Sequence, residues 1–595
     1  MVRCALLSIL LAVGDASQAR SELRVYPPEI SLSGQRDRQS IVVQHVGPEG
    51  LTRDVSEEVV LRIADEGVAE LSDRVVRGAA DGATELLIDY EGRSERIPVS
   101  VENVKTAAPV SYQLDVAPVL MRAGCNSGAC HGAARGKDGF RLSLFGFDAE
   151  GDHFRLTREI SGRRINLARP DASLLLRKAT GAAPHTGGER FTSDSAYYAM
   201  LRQWIVEGAE FDRGEVAQPV GIDVFPELAV LAGEGEQQQL TIRARYSDGS
   251  TRDVTDLALY LSNNDNAAKV SDDGMVVAGA AGEAFVMARF ATFTEGARFV
   301  VFAPGEGPST VEAPVQNEID RLVYADLGRL GLQPSELCSD EDFLRRVYVD
   351  IQGILPNADE YRQFIEDSYP SKRERLVDEL LESDRFIDLW TMKIGELLKI
   401  RTTNQVSYKA LLGMHRWVRD QIAASAPLDQ LVRSLISANG GTFDQPETNF
   451  YQMEANTLQL AENVAQSFLG VRIQCAQCHN HPFDRWTMDD YYGFAAFFSQ
   501  VDFKQSRDPR ELIVYNRGQG EIRHPVDDRA VPPKFLGGDE ADVSNTDRRA
   551  ALADWIAAPD NAMFSEHMAN VVWAHHFGRG IVEPVDDVRI SNPPS

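Results

Sequence analysis

Cysteine is scarce in this chain, with six residues in 595. That argues against the disulfide framework of a small secreted scaffold, which packs even counts of cysteine along a short chain. Positive charge is also short. Lys and Arg number 61 against 89 Asp and Glu, leaving a formal net charge of −28. The balance argues against binding nucleic acid or anionic lipid through a basic face. It favours a well-solvated acidic surface, on which a small cationic electron carrier could dock. No apolar run reaches the roughly 18 residues that span a bilayer, so no membrane span is expected. Also missing are Gly-x-Ser-x-Gly, a phosphate-binding glycine loop and His-Glu-x-x-His, and no catalytic residue is assigned.

What is present begins with "MVRCALLSILLAVGDASQARS". Arg3 supplies a positive start, Cys4 to Val13 a short apolar core, and "SQA" ending at Ala19 the small residues of a cleavage site. Residues 1–19 therefore read as a signal peptide, against the alternative of a buried N-terminal helix. The expected location is outside the cytoplasm, periplasmic or at the cell surface. No cysteine closely follows the apolar core, which argues against a lipoprotein anchor. Without Cys4 the remaining cysteines are Cys125, Cys130, Cys338, Cys475 and Cys478, two close pairs and a singleton.

The length implies roughly three to five domains. Residues 20–105 run as short period-two segments between Gly, Asp and Pro, as a β-sandwich would. Residues 218–305 repeat the scheme. "VYPPEISLSG" returns as "VFPELAVLAG", and "TRDV" recurs at Thr52–Val55 and Thr251–Val254, the mark of an internal duplication. Residues 106–217 read as a small helical domain. Val116, Val119 and Leu120 have helical spacing, and a terminal helix carries Tyr197, Leu201, Trp204 and Ile205 on one stripe behind Ser193 as N-cap.

Residues 314–536 read as a large, mainly α-helical domain. Ser339 with Asp342, Asn357 with Glu360, and Ser371 with Glu374 each pair a cap with an acid three residues on. Ile319, Leu322, Val323, Leu327 and Leu330 share a helical face. Gly470 reads as a C-cap before "CAQCH", and Thr487 with Asp490 as a capping box after it. Residues 547–595 start a further helical unit that reads as cut short. The fold class is thus multidomain: two all-β sandwiches, one small α domain and one large mainly α domain.

Two stretches carry chemistry. In "IQCAQCHNHPFDRW", Cys475, Cys478 and His479 form Cys-x-x-Cys-His, in which two thiols can meet two haem vinyl groups while the histidine reaches the iron. A zinc site using both thiols with His479 and His481, and a disulfide, are the competing readings. In "CNSGACHG", Cys125, Cys130 and His131 form the wider Cys-x4-Cys-His, where Gly128 and Ala129 allow the extra residues to bulge. Spacing alone leaves haem and disulfide level there. Cys338 reads as a lone buried thiol.

The stretches "DVAPVLMRAGCNSGACHGAARGKDGFRLSLFGFD", "RPDASLLLRKATGAAPHTGGERF" and "YAMLRQWIVEGA" resemble the planctomycete-type cytochrome c domain. "QCAQCHNHPFDRWTMDDYYGFAAFF" resembles the planctomycete cytochrome-associated domain of unknown function, and "DRRAALADWIAAPDNAMFSEHMANVVWAHHFGRGIVEP" the companion domain that follows it. The two β segments are similar to bacterial Ig-like domains of group 2, which implies spacing, adhesion or docking to cell-surface components. The resemblance implies one or two covalent haem c groups, on Cys125 and Cys130 and on Cys475 and Cys478, with iron held by His131 and His479. In small c-type cytochromes the second axial ligand precedes the terminal helix and is commonly Met. Here "GAAPHTGGERF" supplies His185, so bis-histidine ligation by His131 and His185 is expected, against a plain loop histidine. For the second site His415, His567, His575, His576, Met453 and Met488 stay open.

The expected function is outer-sphere electron transfer by an exported multihaem c-type cytochrome-like protein serving a redox partner protein. A haem-dependent peroxidase or oxidase is its variant. The other class is a surface scaffold or adhesion protein whose cysteine pairs are disulfides or zinc clips.

Overall fold

The computed structural model describes residues 21–106, 108–303, 305–402, 406–454, 456–481, 484–544 and 546–589. The expected signal peptide and the last six residues of the 547–595 segment lie outside them. Multiple β-sheets fill the N-terminal half and a helical region the C-terminal half. The chain divides into two compact units. One holds Met1–Arg122, Asp212–Phe290 and Glu295–Pro334, the other Ala123–Phe211, Ala291–Thr294 and Ser335–Ser595.

The first unit is mainly β. Its first ten strands are β1 (Glu22–Tyr26), β2 (Ile30–Ser33), β3 (Arg38–Ser40), β4 (Val42–Val46), β5 (Thr52–Asp54), β6 (Val60–Ile63), β7 (Ala69–Ser72), β8 (Val75–Gly78), β9 (Gly82–Tyr90) and β10 (Arg93–Glu102). Their sheets run 1-4-5, 2-10-9-6 and 3-8-7, with β2 and β10 parallel. Alternation decides which face is buried. In β10 the side chains of Ile97, Val99 and Val101 point inward while Pro98, Ser100 and Glu102 stay exposed.

The next ten strands are β11 (Pro219–Phe225), β12 (Leu228–Leu231), β13 (Gln237–Gln239), β14 (Thr241–Tyr246), β15 (Thr251–Asp253), β16 (Leu259–Ser262), β17 (Ala268–Val270), β18 (Met275–Ala278), β19 (Gly282–Phe290) and β20 (Phe293–Val301). Their sheets run 11-14-15, 12-20-19-16 and 13-18-17, again with one parallel pair, β12 and β20. Adding ten to each strand number converts one set into the other, so the duplication read from "TRDV" is a duplication of topology. The copies are stitched together. Buried Gln44 donates through Nε2 to the Leu228 carbonyl at 3.0 Å and to Gln238 Oε1 at 3.0 Å. Thr52 Oγ1 accepts from Val230 N at 2.8 Å, and Asp54 Oδ2 accepts from Gln239 N at 2.8 Å.

The second unit is mainly helical, around a core that includes Met414, Leu435, Phe450, Val464, Phe468, Tyr491, Phe494 and Ile556. Four helix boundaries follow the expected signals, the first being Ser339, which caps Asp340–Gln352 by accepting from Asp342 N at 3.2 Å. Asn357 with Glu360 and Thr487 with Asp490 close reciprocal capping boxes, and Gly470 caps Thr457–Leu469 in the left-handed conformation at φ +65°. Others differ. Ser371 makes no side-chain cap bond, and the Ala196–Val206 helix starts behind Ser195, whose side chain accepts from Tyr198 N, rather than Ser193. In the first unit the Glu318–Arg329 helix leaves Ile319 and Leu322 exposed. Cys338 is half-buried, not buried. Among the described residues no helix is long and apolar enough to cross a membrane.

Candidate functional site

The Cys125–His131 loop folds back on itself. His131 N donates to the Cys125 carbonyl at 3.0 Å, while Cys130 N and Gly132 N both reach the Ser127 carbonyl, at 2.9 and 3.0 Å. Gly132 is obligatory for this closure, since a Cβ there would stand 2.0 Å from the Asn126 carbonyl oxygen. The loop thereby brings both thiols and the histidine to one place. Both thiols are unbridged, with Cys130 buried and Cys125 half-buried. Burial pushes the Cys125 thiol up to about 11, with Arg190 pulling in the opposite direction and Cys130 adding to the rise. Arg190 Nη2 lies 3.2 Å from Cys130 Sγ, a contact that no motif in the sequence announces.

His131 and His185, 54 positions apart, meet across this loop. Their rings are nearly parallel, 9° apart, with centroids 6.2 Å from each other. Each ring is oriented by a backbone carbonyl: His131 Nδ1 bonds Phe140 O at 3.0 Å, and His185 Nδ1 bonds Gly188 O at 3.0 Å. A carbonyl on Nδ1 fixes the proton there and leaves Nε2 as a lone-pair donor, the usual second-shell arrangement of a metal-ligating imidazole. Burial, the largest effect, lowers the His131 pKa and favours the neutral form a metal binds. Behind His131 the Phe140 ring packs at 4.6 Å, with the Arg164 guanidinium 4.3 Å above that ring. The Asn126 side-chain oxygen inside the loop is buried without a partner, a further polar group awaiting an occupant.

These residues fit a covalently attached haem. The thiols of Cys125 and Cys130 would form the thioethers, and the imidazoles of His131 and His185 would hold the iron, which would supply a one-electron couple.

The second stretch is built differently. Gly470 ends the Thr457–Leu469 helix, and a short turn, Gln474–Gln477, buries Ala476 while exposing Cys475 and Cys478. Tyr492 Oη donates to the Gln477 carbonyl at 2.8 Å and anchors the turn. His479 Nδ1 faces the Asn480 carbonyl at 2.6 Å, so its Nε2 is again the available nitrogen. The thiols are unbridged. Among the described residues no three His, Cys, Asp or Glu side chains converge as a metal cage, either at this stretch or at the first. His481 is buried, its backbone N–H donating to the Trp486 carbonyl at 2.7 Å. Asp484 is also buried, which pushes its carboxyl up to about 6.

The remaining ligand candidates separate by place. Met488 is tied to this loop, its N–H donating to Asn480 Oδ1 at 3.1 Å. His567 is fully buried against Gly470. His575 Nε2 is engaged by the Asp350 carbonyl at 2.6 Å, and its ring touches His576. His415 is exposed and Met453 is buried in the helical core.

No curated protein matches the chain. Among solved structures, domains 5–6 of the S-layer protein SbsC align at 10% identity over 48% of this chain and 100% of theirs, with a TM-score of 0.20. The SbsC structure of domains 4–9 aligns at 10% identity over 48% of this chain and 32% of its own, also at 0.20. Family models match two parts of the chain. Residues 318–503 match the planctomycete cytochrome-associated domain PSCyt2, described as a protein of unknown function (DUF1549), and residues 548–595 match its companion PSD1, likewise of unknown function (DUF1553).

Proposed function

We propose that this chain is an exported c-type cytochrome-like protein that transfers electrons to and from a partner protein at the periplasm or cell surface. The observation that carries this reading is the parallel pair of His131 and His185, each with Nδ1 held by a carbonyl, beside the free thiols of Cys125 and Cys130. A haem bound there supplies a one-electron couple whose potential bis-histidine ligation sets low. The protein's own work is to fix both imidazoles in the neutral, Nε2-presenting tautomer, so that little reorganises between oxidation states. Filling both axial positions from the chain favours transfer over peroxidase or oxidase chemistry, which needs an open position. Cys475, Cys478 and His479 form the second attachment site in this reading.

The two β copies serve as Ig-like modules that dock to surface components, and their stitched duplication supports a rigid pair. The test is electron paramagnetic resonance on ferric protein matured in a host that attaches haem c, in a Cys475→Ala, Cys478→Ala background. A low-spin bis-imidazole signal, converted to high spin by His185→Ala, is expected. A signal unchanged by His185→Ala overturns the ligand assignment.

A further inference from the structure

The acidity of the chain is not shared by its first cysteine–histidine site. Residues 123–211 hold 12 Lys and Arg against 10 Asp and Glu, a formal +2 inside a chain of −28. The excess lies in the loops that carry the site. Residues 133–142 and 177–190 together hold six basic side chains and two acidic ones, Asp138 and Glu189.

The fold keeps that charge at the surface. Elsewhere in the segment ion pairs neutralise the cations: Arg155 meets Asp148 and Asp152, Arg164 meets Glu159, and Arg202 meets Asp171. Arg135, Lys137, Arg141, Arg163 and Arg177 are exposed and make no ion pair among the described residues. Backbone bonds set their places. Leu142 N donates to the His131 carbonyl at 2.8 Å and Lys137 N to the Phe140 carbonyl at 2.9 Å, which folds the 135–141 loop against His131. Ala183 N donates to the Arg177 carbonyl at 2.9 Å, two residues ahead of His185. Lys178 is close enough to act electrostatically on His131.

Arg164 joins a third segment to this rim. It donates to the Gly139 carbonyl at 3.3 Å and to the Arg155 carbonyl at 2.6 Å. That segment turns through Ile160 to Arg163, whose N–H donates to the Ile160 carbonyl at 3.1 Å. It leaves Phe154 55% and Ile160 49% exposed. Large apolar side chains beside unpaired charges have the make-up of a protein-docking face. The sign of the charge selects the partner. At about 0.15 M salt the Debye length is about 8 Å, so a docked protein feels the rim it touches more than the acidic remainder of the chain. A cationic carrier is attracted by the net charge of the whole chain but opposed at this rim.

We propose that this face docks a small acidic electron-carrier protein. One electron passes from the reduced carrier to ferric iron at the site, leaving oxidised carrier and ferrous iron. The proposal rests on the electron-transfer reading of the first site. The probe is a plant-type [2Fe–2S] ferredoxin, a small acidic protein, titrated calorimetrically into the full chain at about 150 mM salt. A cationic mitochondrial-type cytochrome c and polyglutamate are titrated alongside. Ferredoxin is expected to bind, and to bind about tenfold more weakly to the Arg135→Glu, Lys137→Glu, Arg141→Glu variant, whose three positions are all exposed. In Cys475→Ala, Cys478→Ala protein carrying haem, the same three substitutions should slow reduction by ferredoxin to a similar degree. The proposal is overturned by no ferredoxin binding, by binding or a reduction rate that the variant leaves unchanged, or by polyglutamate or the cationic cytochrome competing for the same face with equal affinity. A chain that attaches no haem would fail the electron-transfer reading instead, and the titration would still decide the docking face.

Discussion

Arg190 acts on the first cysteine pair at close range. Its guanidinium lies against Cys130 Sγ and pulls down a Cys125 thiol that burial pushes up. In haem-free protein, Arg190→Ala should therefore slow iodoacetamide alkylation of this pair several-fold at pH 8, because fewer thiolates are present. An unchanged rate would show that the guanidinium has no influence on the pair. His567 makes a second residue-scale case. It is fully buried, and burial, its largest effect, holds its pKa below 6.5. The unfolded chain then takes the proton first, so the stability given by the neutral ring is present above pH 6.5 and is lost as pH falls below it. Urea midpoints at pH 7.5 and 5.5 should differ more for the native protein than for His567→Leu. The sequence carries both Cys-x-x-Cys-His and its wider relative, and offers His185 as a partner for His131 against a plain loop histidine. It gave no sign of Arg190, nor of the Phe140 and Gly188 carbonyls that orient the rings, because backbone acceptors are set by loop closure and leave no composition signal.

Among the elements, the helix that precedes "CAQCH" is held at its end by Gly470. That residue is left-handed at φ +65°, and an added Cβ would stand 2.5 Å from His567 Nδ1. Gly470→Ala combines backbone strain with a clash against a fully buried ring, so a loss of about 2–4 kcal/mol is expected in denaturant unfolding. A loss under about 0.5 kcal/mol would mean that the 562–577 helix yields freely. This cap was legible, since a glycine after a helical run has one common use. So were the boxes at Asn357 and Thr487. Ser193 was misread because "TSDS" offers several capping oxygens, and only Ser195 meets a free amide, that of Tyr198. The apolar stripe of Ile319 and Leu322 shows the opposite limit: period 3.6 gives a helix, but not what covers its face.

For the whole molecule, the duplicated β architecture and the acidic surface make two demands. Thr52 contributes a hydroxyl that both accepts from Val230 N and donates to Val230 O, across the junction of the copies. Thr52→Val leaves those backbone groups unmatched and should cost about 1–3 kcal/mol, with both copies still melting in one transition. Two separate transitions would show that the copies are thermodynamically independent. Under the proposed electron-transfer reading, the net charge of −28 predicts that exchange with a small cationic redox protein slows steeply as salt rises from about 10 to 150 mM. A rate indifferent to salt would remove the acidic surface from partner recognition. The duplication was readable from the paired "VYPPEISLSG" and "VFPELAVLAG" segments and the repeated "TRDV", while the sheet orders that make it a repeat of topology needed the fold.

The most direct test of haem attachment is a pyridine haemochrome titre per chain, taken on protein matured in a haem c-attaching host and washed with acid acetone. Two haems per chain are expected, falling to one with Cys125→Ala, Cys130→Ala and to one with Cys475→Ala, Cys478→Ala. A titre of zero in folded protein would contradict the electron-transfer reading altogether.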